Sequence, residues 1–218
     1  MSVSSPRILK ATARNRVVAA YAVAPDRVSP LLPKGLVPVE RNGTAYVSLV
    51  GVELTKVRVL GLVPPGFRRV PAVELRVHVR PAQSSADTDG TWTIQAHVPR
   101  RIVAWGARRL YGETVAVTSM QPIRRERTDD VEVTYRYDWR GREQRLRVRG
   151  GGSPTTPAPG TLAHFLLHPA RRFGTTKDGR LLQTRIERPS MPIHRVQEHH
   201  VTVQWTNVYG ELGALLEI

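Results

Sequence analysis

The sequence predicts a mainly β fold of the α+β class, in which mostly antiparallel strands close into a barrel or cone with two or three short helices outside. Three observations predict it. Apolar residues recur with a period of two over several segments bounded by turn residues. Two nearly continuous apolar runs suit strands covered on both faces. Helical periodicity is confined to short stretches, and many antiparallel strands with two buried apolar ones favour closure into a barrel. A length of 218 residues fits one domain, residues 1–218, with a full hydrophobic core.

In chain order, "RVVAAYAVA" (16–24) and "TAYVSLVGVEL" (44–54) are the apolar runs, the second entered through the turn pair Asn42-Gly43. Between them "PDRVSPLLP" allows a turn or two of helix from Pro25-Asp26, stopped by Pro33. "VELRVHVR" sets Val73, Leu75, Val77 and Val79 against Glu74, Arg76, His78 and Arg80. "TWTIQAHV" sets Trp92, Ile94, Ala96 and Val98 against Thr91, Thr93, Gln95 and His97. With "QSSADTDG" as connector these two segments form a long hairpin. "RRIVAWGARRLYG" supports about three helical turns, weakened at Gly106 by roughly 1 kcal/mol. A second hairpin carries Val131, Val133, Tyr135, Tyr137 and Trp139 inward, turns at Arg140-Gly141 and returns with Leu146 and Val148. "GGGSPTTPAPG" (150–160) reads as a surface loop, and "GTLAHFLLHPARRFG" as a helix capped by Thr161, ended at Gly174 and kinked or divided at Pro169.

No run approaches the roughly 20 apolar residues of a membrane span, and the N-terminal stretch lacks the apolar centre of a secretion signal. Cysteine is absent, which excludes disulfides, thiolate nucleophiles and Cys-ligated metals. A cytoplasmic location is the simplest expectation. The formal net charge is +15, with 33 Lys and Arg against 18 acids, and only Lys10, Lys34, Lys56 and Lys177 are lysines. Such charge admits a nucleic-acid or anionic-surface partner. The arginines are spread along the chain without interleaved aromatics, which favours a compositional origin on solvated faces.

The order of segments resembles a known group. "YAVAPDRVSPLLPKGLVPVERNGTAYVSLVGVEL", "VPAVELRVHVR", "RIVAWGARRLYGETVAVTSM", "HFLLHPARRFGTTKDGRLLQTRIE" and "RPSMPIHRV" are similar to the YqjF-like bacterial proteins, an uncharacterised group within the acetoacetate decarboxylase-like superfamily. The group's Glu-Leu-Asn reads Glu74-Leu75-Arg76 here, and its Pro-Trp-Pro reads Ser190-Met191-Pro192. The resemblance implies a strand-built cone around a small cavity, often in a homo-oligomer. It also implies a pocket for a small molecule, and in the founding enzyme a lysine forms a Schiff base with a β-keto acid. That lysine falls around Thr114-Val115-Ala116, where this chain has none, nor any between Lys56 and Lys177. Arginine does not replace it, because a guanidinium stays protonated. The expectation is a protein that binds a small, partly apolar ligand without Schiff-base decarboxylation and without a cofactor.

By the same resemblance Asn15-Arg16 and Glu74 match polar pocket residues, with Glu53 a weaker match. Arg16 and Glu74 suit either a small carboxylate or hydroxy ligand or a structural ion pair. His78 and His97 share the polar side of the regular hairpin with Glu74, Arg76 and Gln95. Facing inward, this set can do acid–base work, giving an enzyme of unknown reaction. Facing outward it is a solvated surface, and the count of apolar residues favours outward. Tyr111 and Glu113 flank Gly112 at the mouth of the pocket or in a plain turn. His164 and His168 stand one helical turn apart, but without the neighbouring Glu of a zinc-protease motif they read as a packing pair, and no metal is expected. His199 and His200 point to opposite faces of a strand. No phosphate loop, Ser-His-Asp signature or paired-carboxylate motif is present.

Overall fold

The computed structural model describes residues 9–64, 67–84, 88–187, 189 and 191–217. Its strands are β1 (Leu9–Val23), β2 (Leu36–Pro38), β3 (Ala45–Val59), β4 (Arg69–Pro81), β5 (Gly90–Val98), β6 (Val115–Val117), β7 (Met120–Glu126), β8 (Asp130–Trp139), β9 (Arg142–Thr155), β10 (Arg171–Thr175), β11 (Leu181–Arg185) and β12 (Ile193–Thr202). The helices are α1 (Pro25–Val28), continued by a 3₁₀ turn at Ser29–Leu31, then α2 (Arg101–Tyr111), α3 (Leu162–Leu167) and α4 (Trp205–Ala214). Among the described residues no helix is long and apolar enough to cross a membrane.

The strands form two sheets. The larger runs β1-β3-β4-β5-β10-β11, with β2 on β4 and β6 on β5, and the smaller runs β12-β9-β8-β7. Alternation explains why they stack. Val47, Leu49, Val73, Leu75, Val77 and Val79 of the larger sheet meet Val133, Tyr135, Tyr137 and Leu146 of the smaller in one core, joined by Trp205, Tyr209 and Leu212 of α4. Tyr135 lies flat on Gly51, where a Cβ would collide with its ring, and its hydroxyl donates to the Asn15 carbonyl at 2.8 Å. The opposite face of the larger sheet presents Val52, Ala72, Ala96 and Val98, which α2 covers through Val103, Ala104 and Ala107.

Mainly β character holds, but closure does not. Among the described residues neither sheet is closed into a barrel: the larger ends at β1 and β11, the smaller at β12 and β7. Burial of β3 on both faces comes instead from a second layer on one side, while on the other Val52 joins the cluster that α2 covers and Tyr46 meets Phe165 of α3. The run 16–24 is also no central strand. It belongs to the edge strand β1, where only Val17 is buried, because its alanines present too little surface to demand cover. Pro169 ends α3 outright, and Arg171–Thr175 becomes β10 rather than more helix. β9 runs through Gly150 and Gly151 to Thr155, so half of the expected loop is strand; side chains there would collide with His194 and Gln197. The centre of the 83–90 connector and Ser190 fall outside the described residues.

Candidate functional site

β4 and β5 pair antiparallel as expected, with one irregularity: Leu75 faces Gln95 but Arg76 faces Thr93, so Ile94 is an extra residue. This β-bulge reverses the alternation of β5. On the N-terminal side of the bulge, Thr91 and Thr93 share a face with Glu74, Arg76 and His78; beyond it, Gln95 and His97 turn to the inter-sheet core. The polar face is not solvated. Glu74, Arg76 and His78 are 6%, 5% and 2% exposed, which overturns the outward orientation favoured by the sequence.

Distant segments supply the cover. β10 adds parallel to β5, with Arg172 beside Thr91. Gly112, at a φ of 61° just past α2, and Gly174 of β10 allow backbones to touch: a Cβ on Gly174 would overlap the Tyr111 carbonyl. Thr175 N–H donates to the Gly112 carbonyl at 3.1 Å. That docking sets Glu113 against Arg172. A continuous chain of ions results. Arg76 Nε donates to Glu74 Oε2 at 2.8 Å, Arg172 Nη2 reaches the same oxygen at 2.7 Å and Thr93 Oγ1 at 2.9 Å, and Arg172 Nε pairs with Glu113. Burial pushes the Glu113 carboxyl up to about 7; Arg172 and Arg76 oppose the shift and the Glu74 charge reinforces it. Burial opposes the charge on Arg172, but Glu113 and Glu74 outweigh it and hold the guanidinium above its usual value. Tyr111 is raised by burial and by Glu113, against Arg172.

At the other end of this row His78 meets a cavity of about 280 Å³, also lined by Arg41, Asp89, His164, Phe165 and His168. The Phe165 ring lies 4.4 Å from His78, and the Arg41 guanidinium stands 5.2 Å over its centre while donating to the Thr161 carbonyl at 3.1 Å. Thr161 caps α3 by accepting from His164 N–H at 3.2 Å, which presents Phe165 to the cavity. Burial, then the charges of Arg76 and Arg16, lower His78 to about 3, so at neutral pH it offers one donor and one acceptor. Arg16 donates to the Leu167 carbonyl at 2.7 Å, tying β1 to the end of α3. The rings of His164 and His168 stack at 4.8 Å. Among the described residues no three His, Asp or Glu side chains are grouped to hold a metal.

The structure therefore joins Glu74 to Glu113 through Arg172, with Tyr111 beside them, and sets His78 and Arg16 near α3. His97 lies elsewhere. It is fully buried against Tyr137, Trp139 and Tyr209, at ring distances of 4.9, 5.2 and 5.5 Å, and burial lowers it to about 4. Asn15-Arg16 occupy a bulge within β1, and Asn15 donates to the buried Glu53 at 3.1 Å. Arg172, Arg41 and Phe165 escape sequence reasoning because no local period marks a residue that pairs with a strand 80 positions away. At the place implied for a lysine, Val115 packs with Ala96 and Ala104. Lys10, Lys34, Lys56 and Lys177 are all exposed.

The fold is similar to an acetoacetate decarboxylase-like enzyme from Sphingomonas wittichii RW1 (TM-score 0.55, 13% identity, 78% of this chain and 66% of that one), so this chain spans just under two thirds of that enzyme. It is also similar to acetoacetate decarboxylase from Legionella pneumophila (TM-score 0.55, 16% identity, 84% and 72%). A third similar structure is the enduracididine biosynthesis enzyme MppR complexed with pyruvate (TM-score 0.54, 14% identity, 92% and 87%). Identities this low bear on fold alone. No curated protein sequence matches. The profile of DUF2071, described as an uncharacterized conserved protein, matches residues 10–215. The chain belongs to that family, the YqjF-like group, and shares its fold with the acetoacetate decarboxylase-like structures above.

Proposed function

We propose that this protein binds a small, partly apolar carboxylate or hydroxy compound in the cavity between His78 and α3, and that it forms no lysine imine with its ligand. One observation carries the reading: a neutral, buried imidazole closes a cavity that also offers the Arg41 guanidinium and the Phe165 ring. Arginine recognises a carboxylate, the uncharged imidazole exchanges hydrogen bonds with a keto or hydroxy oxygen, and the ring takes an alkyl group. Imine chemistry of this kind uses a desolvated lysine held inside the ligand pocket. All four lysines are exposed.

Pyruvate, found on MppR, and acetoacetate are the first probes. Ligand-observed saturation-transfer NMR should detect contact with at least one of them, lost on Arg41→Met. Borohydride added to either mixture should leave the protein mass unchanged. A reduced adduct on any lysine, or signals indifferent to Arg41→Met, would refute the respective half. A second reading, an enzyme with Glu113 as acid–base group, is favoured by the burial of that carboxyl against Arg172. Deuterium exchange at the methyl group of pyruvate, abolished by Glu113→Gln, is its test.

A further inference from the structure

Among the described residues three two-residue hairpin turns place both central residues at positive φ: Asn42-Gly43 (53° and 72°), Leu60-Gly61 (50° and 85°) and Arg140-Gly141 (52° and 79°). Asparagine suits the first position of such a turn because its short polar side chain tolerates the left-handed region. Leucine does not, yet the turn at Leu60 is well formed, with Val59 and Leu62 exchanging backbone hydrogen bonds of 2.8 and 3.0 Å. The core gives no compensation. Leu60, Leu62 and Val63 are 70%, 75% and 55% exposed at the tip joining β3 to β4.

The charges around this tip have one sign. Lys10 of β1 lies directly across from Arg58 of β3, a like-charge pair where a ladder favours opposite charges. Arg58 also donates to the Gly61 carbonyl at 3.3 Å, which holds its guanidinium at the turn. Lys56 and Arg68 are exposed on the same two arms, and neither residues 54–73 nor residues 1–25 contain an Asp or Glu. Exposed Leu9, paired with Val59, extends the apolar tip on the neighbouring strand.

We propose that the β3–β4 tip is a peripheral membrane contact, with Leu60, Leu62 and Val63 entering the headgroup region of an anionic bilayer and Lys10, Lys56, Arg58 and Arg68 meeting its phosphates. Charge complementarity selects this occupant. A second copy brought tip to tip would set the same cations against each other. A nucleic acid would neutralise the cations but leave the aliphatic side chains in water, and the one ring of residues 54–73, Phe67, is half-buried. Aliphatic insertion and cationic attraction are the two additive signals that reversible surface binding needs.

The full chain is mixed with phosphatidylcholine vesicles, with or without about one third phosphatidylglycerol, and sedimented at low salt and at roughly 0.5 M salt. Binding is expected only with phosphatidylglycerol and is weakened by salt. Leu60→Asn replaces the apolar tip with the residue that the turn favours. It should therefore fold at least as stably as the wild type while partitioning roughly tenfold less, about the effect of leaving one leucine unburied. Arg140→Asn changes the same kind of turn on the smaller sheet and should leave partitioning nearly unchanged. Because the chain has no cysteine, Val63→Cys accepts a single polarity-sensitive fluorophore, whose emission should shift to the blue on phosphatidylglycerol vesicles. Wild-type protein left in the supernatant, equal partitioning of Leu60→Asn, or an unshifted label would each overturn the proposal. So would a dimer in light scattering that Leu60→Asn dissociates, or duplex DNA binding abolished by that substitution.

Discussion

Glu113→Gln isolates the strongest electrostatic claim about the site. Glu113 is buried, touches Arg172, and shares that arginine with Glu74, which Arg76 also partners. Because Glu74 already supplies one negative charge to the two guanidinium groups, the attraction left for a second carboxylate does not outweigh its burial. The carboxyl is raised from 4.5 to about 7. Below pH 4.5 the group is protonated in both folded and unfolded chains and adds no pH dependence. Between 4.5 and about 7 the unfolded chain releases this proton while the folded chain keeps it, so stability falls as pH rises. Above 7 both states are ionised and the loss is complete. The shift corresponds to about 3 kcal/mol. Glutamine keeps the shape and an acceptor for Arg172 but cannot ionise. Urea unfolding of both proteins at half-unit steps from pH 4.5 to 8 gives the stability of the variant minus that of the wild type. This difference should climb by about 3 kcal/mol toward pH 7 and then level off. Subtraction removes every other titrating group. A flat difference would mean that folding leaves the Glu113 carboxyl at its unfolded-chain value, and a difference that falls with pH would mean that the ion pair outweighs burial.

Other perturbations test the rest of the arrangement. His78, lowered from 6.5 to about 3, stays neutral in the folded chain while the unfolded chain protonates, so acid should cost up to about 5 kcal/mol as pH falls from 6.5 toward 3. His78→Gln should flatten that limb in unfolding titrations, and the wild-type imidazole carbon shifts should stay constant from about pH 5 to 8. Gly51→Ala drives a methyl group into a Tyr135 ring that its hydrogen bond to Asn15 holds in place, for a loss of roughly 2–3 kcal/mol in urea unfolding. Gly174→Ala should lift the Tyr111–Glu113 segment off β10. The Glu113 signature above should vanish in this variant even where it still folds.

Much of the fold is legible because period-two alternation and turn pairs are local. The β8–β9 hairpin carries inward all of Val131, Val133, Tyr135, Tyr137, Trp139, Leu146 and Val148, and turns at Arg140-Gly141. α2 runs over the expected three turns and stops at a left-handed Gly112. What is not local is lost. α4 is broken internally at Gly210, with a φ of 65°, so "WTNVYGELGA" shows no clean helical stripe. The β10–β5 pairing that delivers Arg172 is a matter of chain crossing, on which residue spacing is silent.

The site shows the same division inside a single hairpin. Alternation groups Glu74, Arg76, His78, Gln95 and His97 correctly only if β5 is regular, and one extra residue at Ile94 sends the last two to the other face. The bulge thus separates two neutral histidines into different environments: His78 beside arginines at a cavity, His97 among aromatic rings between the sheets. The orientation of the polar face is likewise not a property of β4 and β5. A row of Glu, Arg and His is tolerable in water and also tolerable under cover, provided that counter-ions arrive with the cover. Here the covering segments bring them, Arg172 for Glu74 and Glu113 for Arg172. The polar residues of the hairpin therefore become a candidate site through partners lying 39 and 98 positions further along the chain from Glu74.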